Sequence, residues 1–374
     1  MPDELTDPPE PATDSVTAPA PLTPAPPIEG AGSRPPRRPS WLRAALVSLA
    51  IVAVGAALGG VGYRFERTHA VQPPRIERTG GGWTITALHG REFSGLGLNG
   101  RHLLWQDGAS IEYIDLEEGA IRLLGPGPGM HTTWDPAVGS RYAVWFEAER
   151  EASIAAQAVA YDTQTGRRWT VADAGAVRSY PAISGDVAVW CSARELGVPS
   201  INGVRVGSGE LLDVASGTGA PVVSEGLVVW ATTWTGPFVA GDVGGGPTWP
   251  VAATLTRGRL TAIALAGRTL VWGQDSDEAG TGVVAAVDVD AGGTTTLATG
   301  LSGVAGPAYD GRTIVWAEKT AAGARVMGRR LDGAAFSVAT VAGLVSEVAV
   351  SDDTVAWISH SGDSYSITTT SLPQ

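Results

Sequence analysis

Val187-Ala188-Val189-Trp190 is a short apolar run that ends in tryptophan, and the chain repeats it. The other instances are Leu103-Leu104-Trp105, Ala143-Val144-Trp145, Val228-Val229-Trp230, Leu270-Val271-Trp272, Ile314-Val315-Trp316 and Val355-Ala356-Trp357. Successive tryptophans stand 40, 45, 40, 42, 44 and 41 residues apart. A period near 42 falls in the range of propeller blades, each one supersecondary unit packed on the next.

Around Trp190 the plan of one repeat is legible. Tyr180 to Ser184 reads as a strand, Gly185-Asp186 as a turn, and Val187 to Cys191 as a second strand. After a variable loop come Ile201 to Val206, the turn Gly207-Ser208-Gly209, and Glu210 to Val214. Gly-Asp and Gly-Ser between β-branched runs are hairpin signals. The same plan recurs in the other repeats, and no window after residue 63 has helical periodicity. The expectation is an all-β, seven-bladed β-propeller over residues 81–374, with strand 83–88 closing the last blade against Ser364 to Thr370. Trp105, Trp145, Trp190, Trp230, Trp272, Trp316 and Trp357 are then the structural core of the repeat, wedged between blades, not a carbohydrate platform.

Tyr180-Pro181-Ala182-Ile183-Ser184-Gly185-Asp186-Val187-Ala188-Val189-Trp190 and Gly306-Pro307-Ala308-Tyr309-Asp310-Gly311-Arg312-Thr313-Ile314-Val315-Trp316 resemble the repeats of TolB-type (WD-repeat-like) β-propellers. Tyr161-Asp162-Thr163-Gln164-Thr165-Gly166 resembles the later strand of that repeat. The first and seventh repeats lack the proline, and the fifth has Leu260 to Ala264 in its place. The resemblance covers residues 81–374 and implies a membrane-anchored bacterial propeller of seven blades, or six, outside the cytoplasm. It does not extend to the separate N-terminal domain of TolB, nor imply the Tol system.

Upstream the composition changes. Residues 1–40 are rich in Pro, Asp, Glu, Thr and Ala without apolar periodicity, and read as a disordered Pro-rich cytoplasmic tail. Arg34, Arg37, Arg38 and Arg43 then abut Ala44 to Tyr63, a run without charge. Twenty helical residues span about 30 Å, the hydrocarbon thickness of a bilayer. Residues 41–63 therefore read as a transmembrane signal anchor inserted through residues 44–63, with the N-terminus in the cytoplasm and the propeller extracytoplasmic. A cleaved signal peptide is the rival reading. Residues 64–80 read as a linker.

Chemistry is sparse. Cys191 is the single cysteine and reads as a small buried apolar residue. The five histidines show no zinc spacing, Asp275, Asp277 and Glu278 read as a solvated loop, and no nucleophile elbow or phosphate loop occurs. No catalytic residue, no metal and no cofactor is expected. The net charge of the chain is −12, and all but −2 of it lies after residue 43, which disfavours nucleic acid as a partner.

What remains is the loop set that follows each tryptophan strand. Arg194, Trp234, Phe238, Gln274, Lys319 and His360 are the candidate binding residues there. The function read from this is a non-catalytic binding or scaffolding protein of the bacterial cell envelope, contacting a protein partner through one face. An envelope enzyme acting on glycan or peptide in the central funnel, and a ligand sensor signalling through the helix, are the alternatives. The enzyme alternative requires titratable groups that converge.

Overall fold

The chain divides into two units, Met1–Ala70 and Val71–Gln374. The computed structural model describes residues 74–87, 91–149, 155–177, 179–193, 199–255, 258–275 and 280–373, all in the second unit. Every regular element in them is a strand.

At the start come β1 (Arg75–Thr79) and β2 (Gly82–Thr86). A four-stranded sheet follows: β3 (Phe93–Asn99), β4 (His102–Asp107), β5 (Ser110–Asp115) and β6 (Ile121–Gly125). Next are β7 (Thr132–Val138), β8 (Tyr142–Ala148), β9 (Ala156–Asp162) and β10 (Arg168–Val177), then β11 (Ala182–Ser184), β12 (Val187–Ala193), β13 (Ser200–Arg205) and β14 (Glu210–Ser216). Three further four-stranded sheets take the strands in chain order. The first is β15 (Pro221–Ser224), β16 (Leu227–Ala231), β17 (Phe238–Asp242) and β18 (Trp249–Pro250). The second is β19 (Arg259–Ala266), β20 (Thr269–Asp275), β21 (Gly282–Asp288) and β22 (Gly292–Leu301). The third is β23 (Val304–Tyr309), β24 (Thr313–Thr320), β25 (Gly323–Arg330) and β26 (Ala335–Val341). Finally β27 (Leu344–Ser351), β28 (Thr354–Ser361) and β29 (Ser364–Ser371) join β2 and β1 in a five-stranded sheet.

The described residues thus form an all-β propeller, which departs from the expected fold on two counts. Hydrogen bonding gives six sheets where seven separate blades were expected: five of blade size, with four or five strands, and one of eight. The physical cause is β10, which runs for ten residues and bends past its own hairpin to pair Ala176 with Ala193 and Val177 with Ser192 of β12. Two sequence repeats therefore share one continuous sheet. The second count is the helix. The described residues contain none, and so none long and apolar enough to cross a membrane. The stretch 41–63, with the tail 1–40, lies outside the described residues. Within the stretch read as linker, Arg75 to Thr79 form β1, in register with β2 from Arg75↔Thr86 to Thr79↔Gly82.

The innermost strands touch in succession from β3 through β7, β11, β15, β19 and β23 to β27, and β27 meets β3. The first and last sheets in chain order touch in this sector, where β2 pairs with β29 through Thr84↔Thr368, Ile85↔Ile367 and Thr86↔Ser366. Trp83 extends the grip to the first sheet, donating from Nε1 to the Leu116 carbonyl at 2.9 Å. A side chain at Gly119 would meet that indole at 2.5 Å, on a backbone with φ of +72°, so glycine is required there. Glu347 of β27 bridges to β3, accepting the N–H of Gly95 at 3.0 Å and of Leu96 at 2.7 Å. Pro136, Pro181, Pro221 and Pro307 occupy the step of Leu96 in other repeats and have no N–H to satisfy. Burial raises the Glu347 carboxyl, and the two backbone N–H groups pull it back.

The seven repeat tryptophans are buried, Trp357 the most exposed at 5%. They lie in clusters that run across sheet boundaries; Trp272 packs edge-on to Phe238 of the preceding sheet, ring centroids 5.4 Å apart. Truncating such an aromatic typically costs about 3–5 kcal/mol, so this contact holds neighbouring sheets together.

Candidate functional site

Three hairpins built alike open onto one cavity of about 880 Å³. Each places a cross-strand pair at its mouth: Arg259↔Asp275 between β19 and β20, Val304↔Glu318 between β23 and β24, and Leu344↔His360 between β27 and β28. The inner strand enters the sheet where the tryptophan strand leaves it, so equivalent positions of adjacent units converge at one face. Trp234, on the loop between β16 and β17, closes one side. Its carbonyl accepts the Leu260 N–H at 2.7 Å, which ties that loop to β19. The indole is left 66% exposed.

The mouth is held by backbone bonds. Lys319 N–H donates to the carbonyls of Ser302 (2.7 Å) and Gly303 (3.2 Å). Asp275 Oδ2 accepts the Val304 N–H at 3.3 Å, joining β20 to the next sheet. Thr261 Oγ1 donates to the Gly306 carbonyl at 2.6 Å. Glu318 lies 3.4 Å from Arg325. The His360 ring stacks on Tyr365, 5.1 Å between centroids and 18° between planes. Aliphatic walls come from Leu260, Val304, Ala305, Leu344 and Val345. The volume lies within the roughly 300–1,000 Å³ of ligand sites, and Thr235, Thr261 and Ser346 add polar groups to the lining.

Of the six residues singled out from sequence, Trp234, Lys319 and His360 line this cavity. Gln274 and Phe238 do not. Gln274 is 1% exposed and accepts from Trp272 Nε1 at 3.4 Å. β20 continues to Asp275, and a residue two steps after the tryptophan faces the same way as its ring. Phe238 begins β17 and is fully buried against Trp272. Arg194 lies outside the described residues. The sequence passed over Arg259 and Leu344, which sit at strand starts remote from any tryptophan loop; only the ring brings them to the mouth.

A second group of charges is closed off. Asp107 of β4 and Glu112 of β5 are 3% and 5% exposed. Arg91 Nη1 reaches Asp107 Oδ2 at 2.9 Å, while Asp107 Oδ1 and Glu112 Oε2 have no hydrogen-bond partner among the described residues. Burial first, then the Asp107 charge, raise the Glu112 carboxyl to about 7, with Arg91 acting against them. In the next unit Glu147, 1% exposed, receives Arg168 Nη2 at 2.6 Å on both oxygens, Trp145 Nε1 at 2.7 Å and the Gly127 N–H at 3.0 Å. Glu112 escaped notice in sequence because Ser110-Ile111-Glu112-Tyr113 reads as an ordinary alternating strand. The missed signal was that a central strand of a packed sheet is covered on both faces. Among the described residues no three His, Cys, Asp or Glu gather as a metal site would require.

No protein family and no curated relative matches the sequence. Solved structures do match the fold. Oligogalacturonate lyase in complex with manganese is 13% identical, covering 81% of this chain and 97% of its own at a TM-score of 0.57. The β-propeller domain of the Trilobed protease from Pyrococcus furiosus is 9% identical, covering 72% of this chain and 92% of its own at a TM-score of 0.55. TolB from Acinetobacter baumannii is 11% identical, covering 80% of each chain at a TM-score of 0.43. At identities this low the first two show the β-propeller fold and no more. The protease domain has an open velcro topology; here the N-terminal β2 hydrogen-bonds to β29.

Proposed function

We propose that this propeller is a non-catalytic binding module of the bacterial cell envelope, which takes a segment of a protein partner at the cavity between β19, β23 and β27. The observation that carries the reading is the composition of that mouth: an exposed tryptophan, aliphatic walls and solvent-facing cations, all on backbone tied down by hydrogen bonds. Tryptophan and arginine are the side chains most enriched among interface hot spots. A rigid scaffold also lowers the ordering cost of association. The envelope placement rests on the sequence alone, and cell fractionation tests it.

A second reading, an envelope enzyme acting on glycan or peptide, is favoured by one observation: the Asp107 and Glu112 carboxyls converge and the second is raised to about 7. Neither lines the cavity, and both are closed off from solvent. A catalytic pair must meet its substrate, which argues for the binding reading.

The test is photocrosslinking in intact cells from a photoreactive residue placed at Trp234 and, separately, at Leu344. The expected outcome is one and the same envelope protein recovered from both positions. Recovery of glycan or small-molecule adducts with no protein, from a folded and abundant chain, overturns the proposal.

A further inference from the structure

The charges at the cavity differ in their partners. Asp275 is engaged by the Val304 N–H, and Glu318 faces Arg325. Arg259 and Lys319 enter no ion pair or side-chain hydrogen bond among the described residues, and both are exposed at the mouth. Lys319 is the only lysine of the chain. Its backbone is fixed through Ser302 and Gly303, so the ammonium projects from a stationary strand end. Elsewhere in the ring arginines at strand turns are matched with acids: Arg101 with Asp115, Arg141 with Asp162, Arg268 with Asp290. Arg78, Arg167 and Arg330 also lack an acid partner among the described residues, but none of them lines the cavity; Arg259 and Lys319 are the two such cations that share one rim.

We propose that the cavity recognises an extended acidic segment of its partner. Arg259 and Lys319 take side-chain carboxylates, while an intervening apolar side chain packs on Trp234 and Leu344. The inference rests on the protein-binding reading and names the chemistry of the segment. Guanidinium and ammonium groups both form strong charge-assisted bonds to carboxylate. The net negative charge of the domain disfavours an acidic chain in general, and the two cations of this rim offset it locally. An acidic glycan would satisfy the same cations. The aliphatic groups of Leu260, Val304, Ala305 and Val345 in the lining give an apolar side chain of a peptide a place to pack beside those cations.

The probes are two fluorescein-labelled pools of random decapeptides offered to the full chain. One alternates Asp or Glu with Leu, Val or Phe; the other carries the matching amides in place of the acids. The acidic pool is expected to bind about tenfold more tightly. Lys319→Met and Arg259→Met should each cut that preference to about threefold or less without changing the melting temperature. Because Lys319 is unique, its acylation by an activated ester, read by mass spectrometry of the peptide that contains it, should slow in the presence of the acidic pool alone. Equal binding of the two pools, both abolished by Trp234→Ala, overturns the acidic inference and leaves the protein-binding reading standing. Binding of an oligouronate in place of both pools, weakened by the same two variants, overturns the inference and the protein-binding reading together. No binding of either pool by a folded chain also overturns the inference.

Discussion

β4 and β24 each carry an acid two residues after the repeat tryptophan, Asp107 in one and Glu318 in the other. Their fates differ. Asp107 is 3% exposed and held by Arg91 at 2.9 Å, whereas the Glu318 side chain is 18% exposed, faces Arg325 at 3.4 Å and lines the open cavity. The same contrast runs through the two arcs of the ring. From β4 to β10 the side chains of Asp107, Glu112 and Glu147 are buried; from β20 to β28 those of Asp275, Lys319 and His360 line a mouth. Position along a strand sets which way a side chain points. Whether that direction meets protein or water depends on what the neighbouring sheet and loop put across from it. In the sealed arc Asp107 and Glu147 are held by Arg91 and Arg168, and in the open arc Lys319 stands exposed without an ion pair among the described residues.

The largest effect that tests this contrast is expected at Arg168. Arg168→Ala leaves the Glu147 carboxylate buried without its cation, and should cost about 3 kcal/mol in chemical denaturation of the full chain. Arg325→Ala, opposite the partly exposed Glu318, should cost at most about 1 kcal/mol. Equal losses would erase the distinction between the arcs.

A smaller effect is expected from acid titration of the sealed arc. The folded Glu112 carboxyl is raised from 4.5 to about 7, so between those values the folded chain holds a proton that the unfolded chain has released. Stability then falls as pH rises through that window, since the native state binds more protons. The denaturation midpoint should decline from about pH 5 to about pH 7.5, and Glu112→Gln should flatten the decline. A variant that tracks the unmodified chain at every pH would show that Glu112 is not the group responsible. Asp162 behaves in the opposite sense: burial raises it, but the Arg141 hydrogen bond and the N–H groups of Gln164 and Thr165 outweigh that and hold it at about 2. Its contribution is lost only as pH falls below its ordinary 3.8 toward 2.

The smallest effect is expected at the open arc. Lys319→Ala should shift the denaturation midpoint by no more than about 0.5 kcal/mol equivalent, since an unpaired exposed cation supports no native contact. A loss above 1 kcal/mol would place Lys319 in the framework and not at a binding surface.

Part of this was legible in the chain. The recurrence of an apolar run closed by tryptophan announced strands of one kind, because a side chain that repeats at one register can be buried only if the units stack. Lys319, His360 and Trp234 could be named from their place just after those runs. Gln274 and Phe238 were misjudged as loop residues because strand ends shift by a residue or two, and one step exchanges the buried face for the exposed one. Glu112 was missed because nothing in Ile111-Glu112-Tyr113 says that both faces of β5 are covered. Arg259 and Leu344 were missed because each begins a strand whose neighbours in space lie in other repeats.

By itself, then, the sequence determined the all-β class and the propeller winding, since both follow from a local pattern repeated at a constant period. The number of sheets, the burial of Asp107, Glu112 and Glu147, and the meeting of Arg259, Lys319 and His360 around one cavity were decided only by the tertiary structure. Each depends on a contact that the repeated pattern does not encode: β10 reaching β12, Arg91 reaching Asp107, three hairpin ends converging on one face. A periodic pattern specifies what every unit shares, and these features arise from where the units differ.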